Sequence, residues 1–135
     1  MALDTNVVIY FIELHPTFRA IVRPVFEAIS AGRITAAIST ITLLEVLVEL
    51  LRAGRTDLVN DYREHLMHSQ GLSLVGIDER TAELAAHIRA DHNLQVPDAV
   101  IAASAVVSEC SHLIANDPVF TRVPNFRTLV VAEFT

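Results

Sequence analysis

The sequence predicts one α/β domain built around a mainly parallel β-sheet. Short apolar stretches typical of buried strands alternate along the chain with longer segments whose apolar residues recur at helical spacing. The 135 residues fit a single domain over residues 1–135, because no repeat, low-complexity tract or linker divides them. Hydrophobic residues make up 52% of the chain, which is enough to bury a sizeable core.

The chain opens with a short predicted strand that ends on a carboxylate. Residues 2–3 are apolar, Asp4 stops the strand, and an apolar run over residues 7–12 follows. A helical pattern comes next, and Pro24 inside it is expected to kink the helix or to split it in two. Gly32 is placed to cap its C-terminal end. The apolar residues of this helix are Phe18, Ile21, Val22, Val25, Phe26 and Ile29.

The middle of the chain repeats the alternation. Ala36–Ser39 is a short apolar strand, and the hydroxyl of Ser39 or Thr40 caps a helix over residues 41–53 that Gly54 ends. A further helix follows, with apolar side chains along one face. The residues that define this helix are Thr56, Leu58, Tyr62, Leu66 and Gly71.

The second half of the chain supplies three more strands and two more helices. Strands are expected over residues 72–77, 113–115 and 127–131. Asp78 caps a helix that carries Leu84, Ala85 and Ile88. The helix over residues 97–108 starts with proline at its favoured first position. It is apolar almost all round, so it should be buried.

The composition argues against several classes of protein. All ten basic residues are arginine, so chemistries that need a lysine, such as a P-loop or a Schiff base, are excluded. The net charge of −6 also argues against a passive nucleic-acid coat, which would be basic. Cys110 is the only cysteine, which excludes an intrachain disulfide. The six histidines lack zinc-ligand spacing, and the pair His65 and His68 fits an exposed helical face.

The distribution of apolar residues predicts a cytoplasmic protein without a membrane segment. No uninterrupted apolar run approaches the roughly 18 residues that a membrane span needs. No basic stretch followed by a cleavable apolar segment begins the chain.

Four carboxylates stand out because they lie at strand ends or near helix starts. Asp4 and Asp117 follow predicted strands, where ligands bind in parallel α/β sheets. Asp98 lies in the first turn of the buried helix, and Glu45 lies near the start of another. Each of the four also has an ordinary structural explanation. The aspartates could cap helices or favour a helix N-terminus, and Glu45, like Glu49 one turn later, could be a solvated side chain. Clustered together, carboxylates would repel one another unless a cation held them, and oxygen ligands suit Mg²⁺ or Mn²⁺.

Four motifs occur in order along the chain. They are Asp4-Thr5-Asn6 at the first strand end, Ser39 and Glu45 in "ISTITLLEVL", Asp98 in "PDAVIAASA", and "ANDPVF" with Asp117. Each motif alone is weak, but the ordered set is specific and covers essentially the whole chain. In these motifs the sequence resembles the PIN domain family, and its size and spacing are most similar to VapC-type toxin ribonucleases. It departs from the family pattern at its start, where only residues 1–3 precede Asp4 and a short first strand is expected.

The resemblance implies a fold, a site and partners. The fold is a central five-stranded parallel sheet in the order 3-2-1-4-5 with helices on both faces. The site is a set of catalytic and metal-binding acids, one or two Mg²⁺ or Mn²⁺ ions, and supporting polar residues. The acids are Asp4, Glu45, Asp98 and Asp117, and the supporting residues are Thr5, Asn6 and Ser39. The activity is hydrolysis of RNA by a toxin that pairs with an antitoxin, and family toxins usually form dimers.

The proposed metal ions suggest a mechanism for cutting RNA. Two cations about 3.5–4 Å apart would activate a water for in-line attack and stabilise the leaving 3′ oxygen. The candidates for holding the RNA backbone are Arg122 and, after it, Arg52 and Arg55, although plain solvation explains any single one.

A homodimer is expected because a chain with 52% hydrophobic residues has more apolar surface than one small core easily hides. An antitoxin segment is expected to cover the groove beside the acids.

Two other functions compete with the ribonuclease. An aspartyl-phosphate phosphatase would use Asp4 as its nucleophile, but it needs a lysine and a second aspartate where the chain has Asn6. A non-catalytic PIN-like protein that binds RNA or a partner is the remaining alternative.

Overall fold

The computed structural model describes residues 1–135 as one five-stranded parallel sheet with helices on both faces. The strands are β1 (Ala2–Leu3), β2 (Ala36–Ser39), β3 (Leu72–Val75), β4 (His112–Ala115) and β5 (Arg127–Val130). The α-helices are α1 (Thr5–Ile12), α2 (Arg19–Ser30), α3 (Thr40–Arg52), α4 (Thr56–His68), α5 (Glu79–His92) and α6 (Val96–Val107). Short 3₁₀ helices cover Pro118–Arg122 and Val131–Phe134. The strand order is β3-β2-β1-β4-β5, which confirms the predicted order.

The shortest strand is the central one. In β1, Ala2 is paired with Ala37 on one side and with Leu113 on the other. The ladder continues past β1 because the Asp4 amide donates to the carbonyl of Ile114 at 2.9 Å. Asp4 is therefore fixed by the main chain at the carboxyl end of the central strand.

Alternation along the strands sends side chains into two separate cores. On one face, Leu3 and Ile114 pack with helices α1 to α4, through side chains such as Val8 and Val46. On the other face, Ala2 and Leu113 pack with α5 and α6. The sheet is thus covered on both sides, as a parallel sheet requires. None of the helices has both the length and the apolar character needed to cross a membrane.

The helix that contains Pro24 is not split in two, which was one of the two outcomes expected there. Helix α2 runs without interruption through this residue. Proline removes one helical N–H donor and crowds the carbonyl four residues earlier, here that of Ala20. Both Pro24 and Ala20 are exposed, so water can bond the freed carbonyl, while Val22 and Ile29 keep the opposite face buried.

Several predicted bounds differ from the structure for a common reason. β3 ends at Val75 rather than at residue 77, because its neighbour β2 ends opposite it at Ser39. β5 ends at Val130, opposite Ala115, and residue 131 begins a 3₁₀ helix instead. The apolar run over residues 7–12, which had no assigned structure, lies in α1. Strand ends follow the register of the sheet, which local composition does not encode.

Candidate metal and catalytic site

The four predicted acids lie around the carboxyl edge of the central strands. Asp4 follows β1, Asp117 lies two residues after β4, Glu45 lies in the helix that follows β2, and Asp98 lies in the first turn of α6. The negative charges of the other three all raise the pKa of Asp4. The fold therefore brings together carboxylates that are as far as 113 positions apart in the chain.

Asp4 is the most buried of these acids. Only 4% of its surface is exposed, and burial is the main cause that raises its pKa to about 7. The Thr5 backbone amide opposes this change, and repulsion from the neighbouring acids adds to it. Asp4 occupies the N-cap position of α1, yet its side chain makes no capping hydrogen bond. Helix capping, the ordinary alternative, does not account for this carboxylate.

Asp98 and Asp117 differ in their ordinary roles. Asp98 is half-buried and does not cap α6, and its pKa is raised by burial and then by the charges of Asp117 and Glu45. Asp117 does act as a cap, because its carboxylate accepts a hydrogen bond from the Val119 amide at 2.9 Å. Its charge nevertheless acts on Asp98, so the cap and a role in the site are compatible.

Glu45 is held by a hydroxyl from another helix. The Thr5 hydroxyl donates to its Oε1 at 2.8 Å, which fixes a flexible side chain across the gap between α1 and α3. Glu49, one turn later, is exposed, as expected of a solvated side chain.

The other predicted supporting residues have different surroundings. Ser39 is buried and caps α3 by accepting a hydrogen bond from the Ile41 amide at 3.2 Å. Asn6 is exposed in the first turn of α1. Ser39 therefore shapes the start of the helix that carries Glu45, whereas Asn6 is free to contact a ligand.

The donor set fits a hard divalent cation. All four acids supply carboxylate oxygens, the ligands that Mg²⁺ and Mn²⁺ prefer. No three His, Cys, Asp or Glu side chains are gathered tightly enough to hold one ion between them. Mg²⁺ commonly keeps several waters and takes only one or two carboxylates, so a looser arrangement is compatible with it.

A polar cleft opens beside two of the acids. It has a volume of about 490 Å³, and Asp98 and Asp117 line it, whereas Asp4 and Glu45 do not. The remaining lining residues are Asn93, Gln95, Pro118, Val119 and Arg122. The cleft is large enough for part of a polar ligand and brings two carboxylates into contact with solvent.

Arg122 projects into this cleft from a fixed position. Its Nη1 donates to the carbonyl of Asn93 at 3.2 Å, at the C-terminal end of α5. Arg122 is still exposed, so its other N–H groups can reach a ligand. Arg52 lies at the far end of α3, about 18 Å from the start of that helix at 1.5 Å per residue. Arg55 is exposed and pairs with Asp57.

Two polar residues near the acids were not among the predicted site residues. Asn116 follows β4 and connects it to α1 and to the C-terminal 3₁₀ helix. Its side chain donates to the Tyr10 hydroxyl at 3.1 Å and accepts from the Ala132 amide at 2.9 Å. Thr42 is fully buried, and its hydroxyl lies 3.0 Å from that of Thr5. The available signal for Thr42 was its place three residues before Glu45, on the same face of a helix that is otherwise apolar there.

One protein-family model and several solved structures match this chain. A model of the PIN domain matches residues 1–125. The fold is similar to a toxin–antitoxin complex from Klebsiella pneumoniae, with 24% identity and a TM-score of 0.73. It is also similar to VapBC2 from Rickettsia felis bound to a DNA fragment from their promoter, with 20% identity and a TM-score of 0.76. A third similar structure is DNA-bound VapBC from Salmonella typhimurium, with 23% identity and a TM-score of 0.75. In each case 96% of this chain aligns with 96% of the other. The chain matches none of the curated proteins with which it was compared.

Proposed function

Because the chain belongs to the PIN domain family, we propose that it is a metal-dependent endoribonuclease, the toxin of a toxin–antitoxin pair. The observation that carries this proposal is the state of Asp4. A buried carboxylate that caps nothing, and whose pKa is raised by burial and by the charges of three other acids, is costly to ionise unless a cation neutralises the group. Perturbed carboxylates of this kind are typical of catalytic sites.

One or two Mg²⁺ or Mn²⁺ ions would be held by Asp4, Glu45, Asp98 and Asp117. When bound, such ions supply a hydroxide near neutral pH and positive charge beside the leaving 3′ oxygen. Asp4 contributes a carboxylate that the central strand fixes in place. Thr5 holds the Glu45 carboxylate ready as an acceptor, so little ordering remains when the site is filled.

The cleft beside Asp98 and Asp117 is the proposed path of the RNA backbone. Arg122 is anchored on the end of α5, and its remaining N–H groups are available to donate to a phosphate in the cleft. The surface amides of Asn93 and Gln95 offer further hydrogen bonds there. Arg52 and Arg55 lie toward the opposite end of α3. That they contact the RNA farther along its backbone stays a prediction.

An antitoxin is the proposed partner for an apolar groove. The groove lies between α1, α2 and α4, has a volume of about 700 Å³ and is lined by side chains such as Phe11, Phe26 and Leu66. It contains none of the four acids, so a segment that also covers the cleft beside them must extend past α1. The complexes with similar folds are toxin–antitoxin assemblies, which supports this assignment.

A second copy of the chain is the proposed partner for the outer face of α3. Leu44 and Leu51 are 59% and 54% exposed and lie seven residues apart, on the same side of the helix. Exposed leucines at this spacing are typical of helix–helix contacts between subunits.

The alternative function is a PIN domain that binds RNA or a partner without cutting. It is favoured by the absence of three acids gathered around one point. The two functions differ in their response to metal, because only the nuclease loses its RNA chemistry when divalent ions are removed.

The decisive experiment replaces one carboxylate that lines the cleft. Cleavage of a labelled single-stranded RNA in Mn²⁺ is measured for the wild type, Asp98→Asn and Asp61→Asn, with and without EDTA. Asp98→Asn should reduce cleavage by more than the roughly 10–100-fold typical of residues that only support a ligand. Asp61 is exposed on α4, so its variant should cut normally. Cleavage that survives EDTA, or a fully active Asp98→Asn protein, would exclude the metal-dependent nuclease.

A further inference from the structure

Two buried hydroxyls join the helices that flank the central strand. Thr5 begins α1 directly after Asp4, and Thr42 lies in the first turn of α3, three residues before Glu45. Thr5 is 5% exposed and Thr42 is 0% exposed. Their oxygens are 3.0 Å apart, and the Thr5 oxygen is also 2.8 Å from Oε1 of Glu45. The three side chains form one continuous chain of hydrogen bonds.

The direction of this chain follows from counting protons. A carboxylate can only accept, so the single hydroxyl proton of Thr5 is donated to Glu45. The oxygen of Thr5 then has no proton left for Thr42 and must accept one from it. Thr42 therefore donates to Thr5, and Thr5 donates to Glu45.

We propose that Thr42 is a positioning residue for the proposed metal site, acting on Glu45 through Thr5. The inference rests on the proposed function, because Glu45 matters here as a ligand. The Thr5 hydroxyl can rotate, and with a donor behind it the rotamer that points its proton at Glu45 is the one that satisfies both groups. A donated hydrogen bond also polarises the Thr5 hydroxyl and strengthens its own bond to the carboxylate.

The need for such a device lies in the charges around Glu45. The charge of Glu45 raises the pKa of both Asp4 and Asp98, so the three carboxylates repel one another. Repulsion of this kind favours rotamers that move the flexible Glu45 side chain away from the other acids. The hydroxyl chain is anchored in the buried layer between α1 and α3 and opposes this movement.

The test removes the hydroxyl and keeps the shape. Thr42→Val is isosteric but cannot donate, whereas Thr42→Ser keeps the donor and loses a methyl group. Mn²⁺ binding to the full chain is measured by isothermal titration calorimetry, together with RNA cleavage. Thr42→Val should weaken Mn²⁺ binding about 10-fold and slow cleavage by about 10–100-fold, the range found when a partner of a ligand is lost. Thr42→Ser keeps the donor, so both measurements should stay close to those of the wild type.

A matched control and a double-mutant cycle separate positioning from packing. The Thr128 hydroxyl is buried without a hydrogen-bond partner on β5, so Thr128→Val removes a hydroxyl of the same kind and should change neither measurement. If Thr42 acts through Thr5, adding Thr42→Val to a Thr5→Val protein should weaken Mn²⁺ binding no further. Circular dichroism confirms that each variant is folded.

The results that would overturn the inference differ from those that would overturn the function. A folded Thr42→Val protein that binds Mn²⁺ like the wild type contradicts the positioning role. So does a Thr42→Ser protein as weak as Thr42→Val, because packing would then be the cause. A wild type that binds Mn²⁺ but leaves RNA intact contradicts the nuclease, while the comparison of Mn²⁺ affinities still decides the role of Thr42. A wild type that binds no Mn²⁺ contradicts both.

Discussion

Replacing Asp4 by asparagine should stabilise the metal-free protein at neutral pH and remove most of its pH dependence. The reason is that the folded chain holds the pKa of Asp4 at about 7, against an ordinary value of 3.8, chiefly through burial. Between these two values the folded state binds a proton at Asp4 that the unfolded state has released. The free energy of unfolding therefore falls as pH rises through this window.

The size of the effect follows from the two pKa values. Each pH unit between them costs about 1.4 kcal/mol, so ionised Asp4 costs about 4 kcal/mol in total once the pH exceeds 7. About 3 kcal/mol of this change falls between pH 5 and pH 8. The raised pKa of Asp98 acts in the same direction. Asparagine carries no charge at any of these pH values, so Asp4→Asn should lose the contribution of position 4.

The assay is urea unfolding in EDTA at several pH values from 5 to 8.5, for the wild type, Asp4→Asn and Asp61→Asn. The wild type should lose stability toward high pH, and Asp61→Asn should follow it. Asp4→Asn should be more stable than the wild type at pH 8 and should keep only the shallower slope to which Asp98 contributes. Adding Mn²⁺ should stabilise the wild type more at pH 8 than at pH 5, because the ion and the proton compete for the same carboxylate.

One pattern of results would refute this reasoning. If Asp4→Asn and the wild type have parallel pH profiles in EDTA, burial of Asp4 does not perturb its ionisation. If the wild type also gains no stability from Mn²⁺ at pH 8, Asp4 is not a metal ligand.

Two further predictions concern RNA and self-association. Arg122→Ala should weaken binding to single-stranded RNA and reduce the steepness of log affinity against log salt by about 0.7, because one phosphate contact is lost. The control in the salt titration is Arg33→Ala, at an exposed arginine before β2, which should leave this slope unchanged. Leu44→Glu should convert a micromolar homodimer into a monomer in sedimentation velocity, whereas Leu14→Glu, at a residue 65% exposed outside α3, should not. A wild type that sediments as a monomer would contradict the dimer, and an unchanged salt slope for Arg122→Ala would contradict the phosphate contact.

The arrangement of the sheet was accessible from the sequence. Alternating apolar stretches marked the strands, and the family resemblance supplied their order, which the structure confirms. The sequence also shows four acidic residues at strand ends or near helix starts in an otherwise apolar chain, namely Asp4, Glu45, Asp98 and Asp117. In the fold the charges of the other three all act on Asp4. Their proposed roles in metal binding await experiment.

Tertiary structure decided how those carboxylates are held. The sequence placed Thr5 and Thr42 in different helices, and only the packing of α1 on α3 brings their hydroxyls within 3.0 Å. Arg122 is anchored by the carbonyl of Asn93, the residue that caps α5, 29 positions away in the chain. Pro24 was expected to kink its helix or to split it, and its exposure on the solvent side allows the helix to continue unsplit. Local patterns report burial and backbone preference, which depend on neighbouring residues, whereas hydrogen bonds between elements depend on sheet register and helix packing, which the whole chain sets at once.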